Sequence, residues 1–587
     1  MTIGNAFKPA IQAADSWISQ INSVIARRDY NAAASLFAED SYWRDVIALT
    51  WDIKTFQGRK AIEAMLANYC EASGLRNFHI VGQPQYEALA GFGPTIEMFI
   101  GFETDSIIGR GYLRLVSEAD SGDRHLAVTL LTNADELKGF SEKSLLNRNR
   151  EAVRGTKDTD NWLDKRISDR SYAGRDPRVL IIGAGQAGLT VAARLRQLDV
   201  DTLVIDRMGR VGDNWRNRYH SLTLHNEICA NHLPYLPFPE NWPVFIPKDK
   251  LANWMEFYAD SMEINVWTNT TFLDGEYDEH EKRWTARLQL EDGQIRVMRP
   301  THVVMAVGVS GKPNVPEFAN KNCFKGIILH SSQHSSDVDV SGKKVLVVGS
   351  GTSAHDIAQD SYLRGADVTM LQRSSTTVVS IDQSALAYSA YRKNEGVRPV
   401  GDTDLIVAAV PFDLLRRLHG PLSRKMAAAD RRLLNGLRQV GFQLDNGEDD
   451  TGFFLKLVRY LGGYYIDVGA SELIIQGKIK LKSGVKIDRL TSKGVLFTDG
   501  DQLDADLIVL GTGYQPLQKA VEGLFGAPIA ERVGPIWGLG ADNELRNMWV
   551  RTPQSGLYIA GGTFTMCRFY SKATALLIKA EIEGLVQ

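Results

Sequence analysis

The chain has 587 residues, 44% of them apolar and 23% charged, with 67 Lys and Arg against 70 Asp and Glu for a formal charge of −3. That balance suits a soluble enzyme of three or four units and argues against a nucleic-acid partner, which needs a concentrated basic surface. No apolar run reaches the ~18 residues of a membrane span, and the opening Met1-Thr2-Ile3-Gly4-Asn5-Ala6-Phe7-Lys8 lacks the pattern of a secretory signal, so a cytoplasmic protein with no membrane partner is expected.

The first 140 residues read as an α+β unit. Residues 11–28 are patterned as an amphipathic helix, 31–37 as a short helix, 42–49 as a strand and 60–71 as a helix. Four β-rich runs follow at 76–86, 95–103, 107–116 and 125–132. Helices ahead of a run of strands suggest a curved sheet. Residues 141–176, rich in Asn, Arg and Asp, read as a linker holding one helical turn.

From Pro177 onward, strand, glycine turn and helix follow one another twice. The apolar run 179–182 enters Gly183-Ala184-Gly185-Gln186-Ala187-Gly188, and a helical run 189–198 leaves it. That context separates a dinucleotide-binding turn from incidental glycines. Gly183 permits the tight turn, Gly185 lets the backbone approach a pyrophosphate, and Gly188 lets helix and strand pack closely, with the helix N-terminus facing the phosphate charge. Asp206, about 20 residues further on, can accept the ribose hydroxyls, and Arg207 beside it is a further contact candidate.

A Trp/Pro-rich segment, 214–247, and a β-rich return, 265–307, separate this turn from a second one. There the run 345–348 enters Gly349-Ser350-Gly351-Thr352-Ser353-Ala354, ending in alanine instead of glycine. The extra methyl is expected to widen the helix–strand contact slightly. Where the first half has Asp206, this half has Gln372-Arg373-Ser374. A carboxylate would repel a 2′-phosphate, whereas Arg373 and Ser374 can bind one. Such a charge-assisted contact is worth ~1.5–3 kcal/mol, roughly ten- to hundredfold in affinity. NADPH is therefore expected, with a lone arginine leaving NADH open. Two nucleotides in one chain point to hydride transfer between them, hence to FAD fed by a nicotinamide. A helical insertion at about 402–441, strands at 494–497, 507–510 and 557–560, and a closing helix at 571–583 complete the pattern.

The four cysteines, Cys70, Cys229, Cys323 and Cys567, are far apart. They form no disulfide framework, no metal knuckle and no close pair of the kind a disulfide reductase needs. The eleven histidines contain no H-E-x-x-H, and no metal is expected.

From Arg178 to its end the chain resembles the class B flavoprotein monooxygenases: flavin-containing monooxygenases and their Baeyer–Villiger and YUCCA-type relatives. The two glycine turns carry part of the likeness. The rest lies in Arg210-Val211-Gly212-Asp213-Asn214-Trp215, similar to the family's G-G-x-W, Phe324-Lys325-Gly326-Ile327-Ile328-Leu329-His330, matching F-x-G-x-x-x-H, and Gly511-Thr512-Gly513-Tyr514, matching A-T-G-Y. The resemblance implies an α/β fold with two Rossmann-type domains, FAD-binding at 177–312 and 491–587 and NADPH-binding at 313–490. It implies insertion of one oxygen atom of O2 into a small organic substrate, by N- or S-oxidation or Baeyer–Villiger oxidation, through a C4a-(hydro)peroxyflavin. An NADPH oxidase or diaphorase and a YUCCA-type oxidative decarboxylase are the alternatives.

By the same resemblance, Tyr219 to Asn226 is the flavin-facing stretch and Asn226 positions the transferred oxygen. Asn214 and Trp215 are expected on the flavin, Thr512 among the cofactor-binding residues, and His330, the other candidate for the catalytic machinery, in a linking role between the domains. Asp213 departs from a family glycine and His334 from a family aromatic. The amino-terminal unit, through Leu36-Phe37-Ala38-Glu39-Asp40, Tyr42-Trp43-Arg44-Asp45 and Phe56-Gln57-Gly58-Arg59, looks like the opening of an NTF2-like (SnoaL-like) domain. Trp43 and Asp45 are its candidate pocket residues. Its expected role is structural, or in forming a homodimer.

Overall fold

Short strands rich in apolar residues need cover on both faces, and here they assemble into two five-stranded parallel sheets. The computed structural model describes residues 7–118, 124–148, 160–309 and 311–586. The opening six residues and residues 149–159 of the expected linker lie outside these. The first sheet runs Leu557–Ile559, His302–Met305, Val179–Ile182, Thr202–Ile205, Asn265–Trp267. The second runs Ile327–His330, Leu507–Leu510, Lys344–Val348, Asp367–Gln372, Lys480–Ser483. Each glycine turn thus leaves the carboxyl end of an inner strand, where a parallel sheet binds its ligands.

One boundary moves. Leu507–Leu510 pairs in parallel with both Val345–Val348 and Ile327–His330, so it belongs to the second sheet and not, as a domain border at 490 requires, to the first. The chain passes between the sheets along two connectors that zip together. The Asn314 amide donates to the Gly513 carbonyl at 3.0 Å, and the Gln515 amide to the Lys312 carbonyl at 2.8 Å.

The amino-terminal unit is a six-stranded sheet ordered Ile53–Gln57, Phe37–Val46, His125–Leu137, Ile107–Ser117, Gly93–Glu103, Arg76–Leu89, with helices Phe7–Ala26, Tyr30–Ala34 and Gly58–Ser73. The short helix ends at Ala34, not at residue 37. The Leu36 carbonyl already accepts from the Ala127 amide, and Phe37 pairs with Ala127. An aromatic core fills the unit: Phe37 stacks on Trp43 at 5.4 Å and Phe78 on Phe102 at 5.6 Å. Trp43 and Asp45 sit inside this core and do not line an opening. Both are fully buried, and the Asp45 carboxylate accepts from the Leu49 and Thr50 amides and from the Thr50 and Thr132 hydroxyls.

The linker holds a full helix, Trp162–Ser171, started by a reciprocal cap between Asn161 and Asp164. The expected insertion is present as Val400–Ala408, Phe412–Ala429 and Arg431–Gln439. The closing helix, Phe564–Ile582, begins seven residues ahead of the expected start because the Thr563 hydroxyl caps it on the Met566 amide.

Candidate functional site

The first glycine turn is cut for close approach. At Gly183, φ is +111° and a Cβ would lie 2.5 Å from the Ala306 carbonyl oxygen; at Gly188 a Cβ would lie 1.9 Å from the Gly183 oxygen. At Gly185, by contrast, a Cβ would meet only the Asn214 amide nitrogen at 3.6 Å, so this face of the turn is open to a ligand. Helix Gln186–Gln197 starts here and aims its free first-turn amides at that opening, a natural seat for phosphate. Asp206 is braced: Oδ2 accepts from the Ala184 amide at 2.7 Å and Oδ1 from the Met208 amide at 2.9 Å. Each oxygen keeps a lone pair for a ribose hydroxyl. Arg207 is exposed.

Trp215 supplies the test of fit for a flavin nucleotide. Its ring stacks on Phe564 at 6.1 Å, and its indole N–H is buried without a partner among the described residues. Leaving such a donor unpaired costs roughly 1–3 kcal/mol, a cost that an acceptor on a bound ring system removes. Asp213, in place of the family glycine, braces the approach to Trp215. It accepts from the Arg210 amide at 3.0 Å and from the Arg216 guanidinium at 2.8 Å.

The second turn opens into a cavity of about 1400 Å³. Gly349 has φ +127°, and a Cβ there would lie 2.3 Å from the Gly511 oxygen. Gly351 meets nothing closer than the Tyr464 oxygen at 3.8 Å. The Ala354 methyl finds its room at Gly511, where a Cβ would lie 2.8 Å from it. Glycine across the contact therefore makes room for the methyl at position 354. Gly349, Gly351, Thr352, Ser353, Thr512 and the exposed Arg373 and Ser374 all line this cavity. Arg373 and Ser374 stand on its wall directly after strand Asp367–Gln372. The Thr512 hydroxyl donates to the Asn314 carbonyl at 2.6 Å, tying the cavity wall to a connector.

Between the two cradles lies a buried polar clamp that sequence spacing did not reveal. The Tyr219 hydroxyl donates to Asp356, and His225 Nε2 lies 3.6 Å from the same carboxylate. The Ser221 hydroxyl donates to Asp360 at 3.0 Å, and His334 Nε2 lies 3.6 Å from that group. The stretch 219–226 is thus pinned to helix Thr352–Leu363. His334, which departs from the family's aromatic, lies beside this contact with neither ring nitrogen hydrogen-bonded among the described residues. Burial raises the Asp356 carboxyl above its usual range. Asn226, half-buried, extends its side chain to the buried hydroxyl of Tyr388, at the end of the short helix Ala385–Tyr388.

His330 sits at the connectors. Its Nε2 bonds the Gly513 carbonyl at 2.9 Å and its Nδ1 pairs with the Ser332 hydroxyl at 2.9 Å. A carbonyl only accepts, so Nε2 carries a proton, and Nδ1 accepts from the Ser332 amide at 3.2 Å, so the ring is neutral; burial lowers its pKa. The structure therefore brings Gly183, Gly185, Gly188, Asp206, Asn214 and Trp215 together, gathers the second set around the cavity, and puts His330 at the domain junction. Sequence reasoning also missed Trp537 and Arg546, which face the second cavity from a distant loop.

The family described as pyridine nucleotide-disulphide oxidoreductase matches residues 180–395. The indole-3-pyruvate monooxygenase YUCCA1 of Oryza sativa subsp. japonica is 31% identical over 341 residues, covering 58% of this chain and 77% of that protein. A probable indole-3-pyruvate monooxygenase of Arabidopsis thaliana, YUCCA10, is 30% identical over 343 residues, covering 57% and 81%. Among solved structures, ε-caprolactone-bound cyclohexanone monooxygenase aligns with a TM-score of 0.51 at 16% identity, over 70% of this chain and 88% of that one. OTEMO in complex with FAD and NADP aligns with a TM-score of 0.50 at 16% identity, over 70% and 86%. These structural likenesses are of fold.

Proposed function

The chain belongs to the class B flavoprotein monooxygenases, and on that premise we propose that it holds FAD in the first cradle and NADPH in the second and inserts one oxygen atom of O2 into a small organic substrate. One observation carries this reading: two open phosphate turns, on two sheets, are joined by the Tyr219–Asp356 clamp across the flavin-facing stretch. The free amides at Gly185 and the braced Asp206 grip the first nucleotide, and the orphaned Trp215 N–H donates to its ring system. The turn at Gly351 grips the second nucleotide, and Arg373 with Ser374 reads its 2′-phosphate. Asn226, held by Tyr388, offers a carboxamide to the reacting edge. Tyr388, Tyr391 and Phe453, packed on Cys229 and Ala230, keep water from that side. When bound, the flavin supplies hydride acceptance and oxygen activation, and the protein supplies orientation and dryness.

The cysteines fit this reading better than disulfide reduction. All four are free, and burial pushes the Cys229 thiol up to about 11 and raises Cys70 as well. Thiols so held are poor nucleophiles.

A second reading, oxidative decarboxylation of an aromatic 2-oxo acid, is favoured by the identity to the YUCCA proteins. One experiment tests both. The yellow protein is supplied with NADPH, isotopically labelled dioxygen and, in turn, a cyclic ketone, a thioether, a tertiary amine and indole-3-pyruvate. Labelled product at one NADPH per turnover is the expected result. Release of CO2 with indole-3-pyruvate selects the decarboxylating reading. Stoichiometric H2O2 with every compound and no labelled product would establish an oxidase instead.

A further inference from the structure

The amino-terminal unit takes no part in the function above, yet it sends one charged side chain into the heart of the molecule. Arg44, on strand Phe37–Val46, is 3% exposed. Its Nε and Nη2 each donate at 2.7 Å to a different oxygen of Glu544, itself 4% exposed. Nη2 also donates to the Tyr570 hydroxyl at 2.9 Å, and Nη1 to the Ala408 carbonyl at 3.0 Å. The Thr55 hydroxyl, also from the amino-terminal unit, donates to Glu544 at 2.6 Å. A buried pair of this kind is strongly unfavourable to break, because the remaining charge is left without a partner.

Glu544 belongs to a loop that ends in the nucleotide cavity. The Gly540 amide donates to the Glu544 carbonyl at 2.8 Å, the Trp537 amide to the Arg546 carbonyl at 3.0 Å and the Arg546 amide to the Gly538 carbonyl at 3.1 Å. Trp537 and Arg546 both line the cavity. The Trp537 ring edge also packs at Gly562, whose carbonyl accepts from Gln186 at the mouth of the first cradle. The loop is not a shape the backbone prefers. Trp537 (φ +69°) and Asn543 (+58°) within it are left-handed, as are Asn547 (+54°) and Trp549 (+69°) just beyond, and a left-handed tryptophan persists only where its surroundings over-determine it. The surroundings that do so include Arg44.

We propose that the amino-terminal unit is a positioning element of the oxygenase: Arg44, through Glu544, holds the 537–546 loop so that Trp537 and Arg546 complete the wall of the second nucleotide cavity. Arg44 and Glu544 are positioning residues, because they touch neither nucleotide turn. The proposal rests on the nucleotide reading above for what the wall contacts, but not for the loop's dependence on Arg44.

The test uses the full-length, flavin-loaded protein and its Glu544→Gln variant. Hydrogen exchange of peptides spanning 536–547 is measured without nicotinamide, and NADP⁺ binding by calorimetry. The expected result is exchange faster by about tenfold or more at the loop, NADP⁺ affinity weaker by about tenfold, and KM for NADPH raised more than kcat is lowered, with flavin content unchanged. Wild-type loop exchange together with wild-type NADP⁺ affinity would overturn the proposal and leave Arg44 a stabiliser of the amino-terminal unit alone. If Glu544→Gln does not fold, the double variant Thr55→Val/Tyr570→Phe, which keeps the ion pair and removes two of its hydrogen bonds, decides on the same two readouts. Should NADP⁺ fail to bind the wild type at all, the nucleotide reading falls, while loop exchange, measured without it, still decides this proposal.

Discussion

The two glycine turns share one backbone solution and differ in the side chains around it. Each opens on a glycine with φ above +100°, where a carbonyl presses on the space a Cβ would fill. Each presents an open middle glycine and starts a helix. Three of their differences matter most here: Gly188 against Ala354, Leu189 against His355, and Asp206 against Gln372 with Arg373 beside it. Asp206 is braced by two backbone amides, whereas Arg373 stands exposed at the cavity edge. On the proposed reading, backbone geometry admits a pyrophosphate, and side chains a few positions away choose which nucleotide it belongs to and how firmly the turn is supported.

The largest expected effect breaks the shared geometry. In Gly188→Ala the new methyl would lie 1.9 Å from the Gly183 oxygen. The turn must open, at roughly 1–3 kcal/mol or more, and the phosphate seat is lost with it. The purified variant is expected to carry less than about one-tenth of the wild-type flavin, read from its visible absorbance. Full flavin content would show that the turn relaxes freely. Next comes the side-chain difference. Arg373→Ala should weaken NADPH roughly ten- to hundredfold and leave NADH unchanged, measured as the ratio of the two KM values. Equal weakening of both would show that Arg373 reads something other than the 2′-phosphate.

Much of this comparison was legible in the chain itself. Strand, glycine turn and helix lie within a single local stretch, so Gly183 to Gly188, Asp206 and Arg373 carry their signal in spacing. What spacing does not carry is contact between distant segments. The Tyr219–Asp356 bond spans 137 residues and Arg44–Glu544 spans 500, and neither partner stands in a periodic pattern that announces the other. The sheet joined by Leu507–Leu510 was equally hidden, since an all-apolar strand is suited to either sheet and only its neighbours choose. The closing helix hid its start because Phe564 to Tyr570 mixes aromatic, small and charged residues without a clear period, while the cap that begins it is one hydroxyl on Thr563.

The third contrast, Leu189 against His355, concerns acid stability. His355 is fully buried, stacked on Tyr465 at 3.9 Å, with its Nδ1 3.2 Å from the Gly351 carbonyl. Burial pushes its pKa down from 6.5 to about 4, so the folded protein keeps the ring neutral where the unfolded chain takes up a proton. Its contribution is complete above pH 6.5 and is lost as the pH falls from there toward 4. His232 and His419, also pushed down to about 4 by burial, act in the same direction. His355→Leu makes the second turn resemble the first. It should flatten the fall in melting temperature between pH 6.5 and 4, leaving the share due to the other two. A decline as steep as the wild type's would show that His355 takes its proton without unfolding.

The smallest effect sharpens the comparison most. Ala354→Gly restores the residue that the first turn has, yet it should be mildly harmful where Gly188→Ala is severe. The Ala354 methyl fills the space over Gly511. Its loss leaves a gap and puts a glycine into a helix, together about 1–2 kcal/mol and a melting temperature lower by a few degrees. Nucleotide affinity should stay within about threefold, because the open face at Gly351 is untouched. The asymmetry follows from what stands behind each position: the Gly183 carbonyl, which cannot retreat, behind Gly188, and a glycine across the contact, which has already made room, behind Ala354. A large loss of NADP⁺ affinity in Ala354→Gly, measured by calorimetry, would mean that the methyl helps set the phosphate turn itself, and the two turns would then differ in backbone as well as in side chains.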